Sequence, residues 1–232
     1  MKTIGLIGGM SWESTLTYYR IINESVKARL GGLHSAPIVL YSVDFHEIEQ
    51  LQRAGDWLGA GARLAAAARS LQAAGADIVL LCTNTMHKVA DAIQAAVNLP
   101  FLHIADATAQ EIRDAGMATI GLLGTRFTME EEFYRSRLGA VHGLTVLIPE
   151  EADRETIHRV IYDELCLGEV SAASRVVFRK IMADLVARGA QGLILGCTEI
   201  SLLVDQTDAA VPLFDTTRIH ALKATDWALG ME

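Results

Sequence analysis

Leu71–Thr85 (LQAAGADIVLLCTNT) returns 114 residues later as Leu185–Glu199 (LVARGAQGLILGCTE). Two further segments repeat in the same order. Thr3–Gly8 (TIGLIG) returns as Thr119–Gly124 (TIGLLG), an offset of 116, and the runs opening at Pro100 and Pro212 stand 112 apart. Three segments in one order at nearly one offset predict two similar α/β lobes rather than one continuous domain. Between the repeats, short apolar runs alternate with helical patterns. Thr3–Ile7, Ile38–Val43, Ile78–Leu81, Phe101–Ile104, Thr119–Leu123, Leu144–Ile148, Leu193–Leu195 and Pro212–Phe214 read as strands. Most are too continuously apolar to have a wet face, as buried parallel strands are. Tyr19, Ile22, Val26 and Leu30 step along one helix face, as do Val89, Ile93 and Val97, and Ile157, Ile161 and Leu165. The expectation is two Rossmann-like α/β lobes, each a parallel sheet flanked by helices, related by a pseudo-two-fold. Residues 1–103 plus 212–232 would form one lobe and 104–211 the other. The strand C-terminal ends would face a shared cleft, where open α/β sheets place ligands.

The repeat decides which residues are equivalent. At the offset of 114, Cys82 maps to Gly196, Thr83 to Cys197, Asn84 to Thr198 and Thr85 to Glu199. Cys82 is the tempting partner for Cys197, yet it falls one residue out of phase, and one residue turns a side chain to the other face. Cys82 is therefore expected in the core, with Thr83 pointing into the cleft. Cys197 lies at a strand-to-helix turn, where free amides favour a thiolate, so its pKa is expected to fall below about 8.5.

Other polar turns point to a small anion. Gly8-Gly9-Met10-Ser11 follows the first strand but is neither GxGxxG nor a Walker loop, so dinucleotide binding is a weak reading. Bare amides there could meet a carboxylate. Thr125 and Thr128 of the equivalent turn could donate hydroxyls to one, or cap a helix. The histidines are spread without ligand spacing and predict no metal site. Met86-His87 is the exception to follow, because it lies beside Thr83. Glu130-Glu131-Glu132 reads as a solvated helix start.

Composition excludes several classes. The chain has 232 residues, 51% hydrophobic and 21% charged, with a net charge of −8. Mean hydropathy is +0.27. That is a packed core, not a disordered chain. An acidic balance gives no basic surface for nucleic acid. No apolar run reaches 18 residues, so no membrane span is expected. The first residues lack the apolar stretch of a signal peptide. Three cysteines, an odd number, fit a reducing cytoplasm rather than a disulfide scaffold.

The sequence resembles the aspartate/glutamate racemase family, in its bacterial broad-specificity amino acid racemase branch, over essentially the whole chain. Leu193–Ile200 (LILGCTEI) is similar to the family's C-terminal cysteine signature; Gly8-Gly9-Met10, Asn84-Thr85 and Gly124-Thr125 match as well. The resemblance implies a homodimer and racemisation of a small amino acid without pyridoxal phosphate or metal. It implies Cys197 and Thr83 as the catalytic pair. Met10, Gln52, Asn84, Thr85, Thr125, Thr128, Thr198 and Glu199 would bind substrate. Two positions depart from the family pattern. Thr83 stands where typical members carry the N-terminal catalytic cysteine. Cys166 stands where a basic residue is expected shortly before Gly168, and in Gln50–Gly55 only Arg53, beside Gln52, is basic.

Racemisation takes the α-proton from one face and returns one to the other. A thiolate can be the base; a threonine hydroxyl is a far poorer base but can still give a proton to a carbanion. The sequence thus predicts an asymmetric racemase, faster when Cys197 is the base, and the family resemblance implies that Cys197 faces the L-substrate, which makes it L-preferring. A single-cysteine decarboxylase or cis–trans isomerase of small diacids, and a non-catalytic amino-acid-binding protein, are the competing readings.

Overall fold

A computed structural model describes residues 1–231. In chain order the elements are β1 (Ile4–Gly8), α1 (Trp12–Leu30), β2 (Ile38–Ser42), α2 (Phe45–Ala54), α3 (Trp57–Ala73), β3 (Ile78–Leu81), α4 (Ala90–Gln94), β4 (Phe101–Leu102) and α5 (Ile104–Asp114). They continue with β5 (Thr119–Gly124), α6 (Arg126–Glu130), α7 (Glu132–Ser136), β6 (Thr145–Leu147), α8 (Glu151–Asp163), α9 (Ala172–Ala187), β7 (Gly192–Gly196), α10 (Ile200–Leu203), β8 (Leu213–Asp215) and α11 (Thr216–Leu229). Every stretch expected as a strand overlaps one.

The strands form two four-stranded sheets of identical order, β2-β1-β3-β4 and β6-β5-β7-β8, with every ladder parallel. The sequence repeat is also a repeat of register. Ile4 faces Ile78 in the first sheet, and Ile120 faces Gly192 in the second. Val79 faces Phe101, and Leu193 faces Leu213. Each of these second-sheet rungs is the first-sheet rung carried forward by 116, 114 or 112 residues, whereas the edge strand β6 follows β2 at an offset of 108, Ile38 and Val146 being the partners of Ile4 and Ile120.

The chain divides into one compact unit of residues 1–104 together with those from His220 onward, and a second of Ala105–Ile219. This corrects the expected boundary. Residues 212–219 belong to the second unit, because Leu213, Phe214 and Asp215 pair with β7. The helices after the last strands change allegiance: α5 follows β4 yet lies almost wholly in the second unit. Most of α11 follows β8 yet lies in the first.

The first sheet is covered on both faces, and strand alternation sorts its side chains between them. Ile7, Val79 and Leu81 pack with Leu64, Ala68 and Leu71 of α3. Ile4, Leu6, Ile78, Leu80 and Cys82 pack with Tyr18 and Ile22 of α1 and Ala221, Ala224 and Ala228 of α11. The alanines let α11 lie close against the strands. Cys82 is thus a core residue, fully buried, and its thiol is pushed up by desolvation.

Three local readings change. Edge strand β2 leaves Leu40 and Tyr41 exposed, so it is not buried on both faces. Tyr19 and Leu30 are exposed as well, because α1 turns Tyr18, Ile21, Ile22 and Val26 inward instead. The run Glu130–Glu132 is not one helix start: α6 ends at Glu130 and α7 begins at Glu132, with Glu131 extended between them.

His220, fully buried in the first unit, yields a stability prediction. Its Nε2–H donates to the Leu102 carbonyl at 2.9 Å, and its Nδ1 accepts from the Tyr18 hydroxyl at 2.9 Å. Burial lowers its pKa to about 4. The unfolded chain takes up a proton near pH 6.5 that the folded protein refuses. Stability is therefore full above pH 6.5 and falls as pH drops toward 4, by about 3 kcal/mol in all. Urea unfolding at pH 7 and pH 4.5 checks this. His220→Gln should flatten that part of the profile, and an unchanged slope in the variant would refute it.

Candidate active site

In each sheet the chain runs outward from the first strand to one edge, then crosses to the other side. The switch lies between β1 and β3 in one unit and between β5 and β7 in the other. Loops leaving the C-terminal ends of such strands diverge, and open α/β sheets bind ligands there. The loops at these points are Gly9–Ser11 and Cys82–Asn84 in the first unit. In the second they are Thr125 and Cys197–Glu199. Topology alone thus selects the turns that the sequence singled out.

Close backbone approach shapes both pairs of turns. Gly9 has φ 93°, and a Cβ there would collide with the backbone of Val43. At the ends of β5 and β7, a Cβ on Gly196 would lie 2.8 Å from the Leu123 oxygen, and one on Gly124 2.9 Å from the Gly196 oxygen. Both positions require glycine, and Cys197 follows this tight junction directly.

In the first unit Thr83 is half-buried and stands two residues past the last β1/β3 rung, Ile7 with Leu81. Its amide donates to the Leu81 carbonyl at 2.9 Å. Asn84 and Thr85 are buried beside it, opening the 3₁₀ helix Thr85–Val89. Met10 is buried in the α3 side of the core. Gln52 is buried on α2, with its amide nitrogen 2.8 Å from the Met86 sulfur. The structure thus gathers Thr83, Asn84 and Thr85 on one turn, while Gln52 meets Met86 of the following 3₁₀ helix and Met10 belongs to the same core cluster as Met86.

In the second unit Cys197 is 8% exposed. Its Sγ–H donates to Glu199 Oε2 at 3.0 Å, and the Thr198 hydroxyl donates to the same oxygen at 2.7 Å. Thr125 caps α6 through Thr128 N at 3.3 Å, and the two threonine hydroxyls lie 3.2 Å apart. The capping reading of Thr125 is therefore realised.

The expected low pKa of Cys197 is overturned. Desolvation first, then the Glu199 carboxylate, and to a lesser degree Cys166, hold the thiol well above its ordinary value. The anticipated helix dipole is also nearly absent, because α10 has only 4 residues and Glu199 itself occupies its cap position. The sequence placed Glu199 among the substrate-binding residues; the structure shows it holding the thiol proton of Cys197. The signal was present as a carboxylate two residues after a cysteine, but only the folded turn brings the two side chains together. Among the described residues, no cluster of histidine, cysteine or carboxylate groups could hold a metal ion. No described helix is long and apolar enough to cross a membrane.

The chain resembles known proteins over nearly its whole length. The chain is 62% identical to a candidate Asp/Glu racemase of Yersinia pestis of known structure, covering 99% of this chain and 100% of that one with a TM-score of 0.93. It is 37% identical to an aspartate racemase homologue from Pyrococcus horikoshii OT3, covering 99% and 100% with a TM-score of 0.85. It is 20% identical over 231 residues to the broad specificity amino-acid racemase RacX of Bacillus subtilis, covering 92% of each chain. The model of the Asp/Glu/hydantoin racemases matches residues 7–224, and the chain belongs to that family.

Proposed function

We propose that this protein is a cofactor-independent amino acid racemase of L-preferring, asymmetric type, acting on a small amino acid of the aspartate or glutamate kind or more broadly. Cys197 serves as the base on one face of Cα and Thr83 as the proton donor on the other. The observation that carries this reading is the register repeat. It gives Cys197 and Thr83 the same place in their respective sheets, two residues beyond the equivalent rungs Leu123 with Leu195 and Ile7 with Leu81. A pair of equivalent positions, one bearing a thiol and one a hydroxyl, suits a reaction whose two half-steps are mirror images.

The resting thiol is neutral, since burial and Glu199 both disfavour its ionisation. In the L-to-D direction the thiol proton passes to Glu199, aided by the positive charge of the arriving α-ammonium. The thiolate then takes the α-proton. A carbanion is far more basic than an alkoxide, so the Thr83 hydroxyl can protonate it on the opposite face. Solvent restores the Thr83 proton and removes the one held by Glu199, which closes the proton count. Asn84, Thr85, Thr125 and Thr198 supply hydrogen bonds to the α-carboxylate as charge builds on it. Met10, Gln52 and Thr128 shape and support those turns.

We further propose a homodimer in the cytoplasm. Trp12, Leu16 and Tyr19 line one exposed face of α1, an apolar stripe suited to a second copy, and none of the three cysteines forms a disulfide.

A chirality-resolved panel of L- and D-amino acids in heavy water tests the reading. The expected result is deuterium at Cα and conversion of L- to D-enantiomer of at least one acidic or small polar amino acid. Release of carbon dioxide from a diacid, or tight binding without Cα exchange, would overturn it.

A further inference from the structure

We propose that His87 is the positioning residue of Thr83, holding that hydroxyl where it can reprotonate the substrate; this rests on the racemase reading above. His87 lies four residues beyond Thr83 and is 3% exposed. Its Nδ1 is 2.7 Å from the Thr83 carbonyl oxygen, and the Ile104 amide donates to its Nε2 at 3.2 Å. An amide N–H can only donate, so Nε2 must present a lone pair. The ring proton then sits on Nδ1, and Nδ1–H donates to Thr83. Both ring nitrogens are committed, and the tautomer is fixed by its neighbours.

The ring is also wedged. Its centroid lies 4.4 Å from that of His103 and 5.6 Å from that of Phe101. A flip would break both hydrogen bonds inside a packed cluster. Thr83 is thus held on both sides of its Cα: its amide by the Leu81 carbonyl, its carbonyl by His87. A β-branched side chain has few χ1 choices once its backbone is pinned. Two backbone bonds therefore aim one hydroxyl. The same imidazole satisfies the Ile104 amide, one of those that the start of α5 leaves without a helical partner.

Three variants and two readouts test the inference. Asparagine at position 87 can place an amide N–H near the site of Nδ1. Glutamine can place its carbonyl oxygen near the site of Nε2 but does not reach Thr83. With L-substrate in heavy water, inversion is compared with deuterium incorporated into recovered L-enantiomer, the half-reaction of Cys197. His87→Ala and His87→Gln should lower inversion about 10–100-fold. They should leave exchange within about twofold of wild type, and His87→Asn should recover most of the inversion. Parallel loss of inversion and exchange, or a glutamine variant as active as the asparagine one, would overturn the positioning role. The second readout needs no turnover: ¹⁵N NMR of the wild-type protein should show His87 protonated on Nδ1, and an Nε2–H signature would overturn the clamp. If wild-type protein exchanges no Cα proton at all, the racemase reading falls and the catalytic purpose assigned to His87 falls with it. The tautomer measurement still decides the clamp itself.

Discussion

Cys197→Ala is expected to remove Cα deuterium exchange from both enantiomers, with a loss of about 10²–10⁴-fold in turnover, the usual worth of a positioned acid–base group. Alanine fits the space behind the Gly124–Gly196 junction, so the fold should persist and circular dichroism should match wild type. The substitution also leaves Glu199 with the Thr198 hydroxyl as a partner, which limits the cost of a buried carboxylate. Cys197→Ser is the sharper comparison. It keeps a donor to Glu199 but replaces the thiol with a much weaker acid, so it should also be nearly inactive. Retained exchange in either variant would take Cys197 out of the base role.

Thr83→Cys should act in the opposite direction. A second thiol at the equivalent position supplies a competent base for the D-enantiomer, and D-substrate turnover should rise about 10–100-fold. Because the two enantiomers have equal free energy, kcat/KM must stay equal for both directions in every variant. The gain must therefore appear as a higher kcat for D-substrate accompanied by a matching rise in its KM relative to the L-substrate. Progress curves from each enantiomer, fitted separately, measure both. An unchanged ratio of D to L kcat would mean that Thr83 does not meet the substrate.

Much of the architecture could be read before any coordinates. The offsets 116, 114 and 112 turned out to be ladder registers, because a parallel sheet of given order has one way to align its strands once the apolar runs are placed. The same phase argument put Cys82 in the core, where it lies against α1 and α11. The residues at strand ends were legible for the same reason: topology, not side-chain detail, decides which loops border a switch point.

Other features depend on geometry that no spacing encodes. The acidity of Cys197 was misjudged because a cysteine before a helix suggests a dipole, whereas this helix is one turn long and the turn folds Glu199 onto the sulfur. The boundary at residue 212 was misplaced because the repeat shows where β8 resembles β4 but not which sheet it joins. Tyr19 was read as inward because it shares the helical step of Ile22 and Val26; it falls just beyond the edge of the buried stripe. His87 could be flagged only as a neighbour of Thr83. Its bond to that carbonyl requires the 3₁₀ turn at Thr85–Val89 to bring the ring back over the chain.

The traded helices set an order of assembly on the ribosome. Everything in Ala105–Ile219 has been synthesised before α11 is complete, so that half can close early. The sheet that carries Thr83 is made first yet must wait longest, with the face of Ile4, Leu6 and Leu80 covered only in part, by Tyr18 and Ile22, until Ala221, Ala224 and Ala228 emerge to complete it.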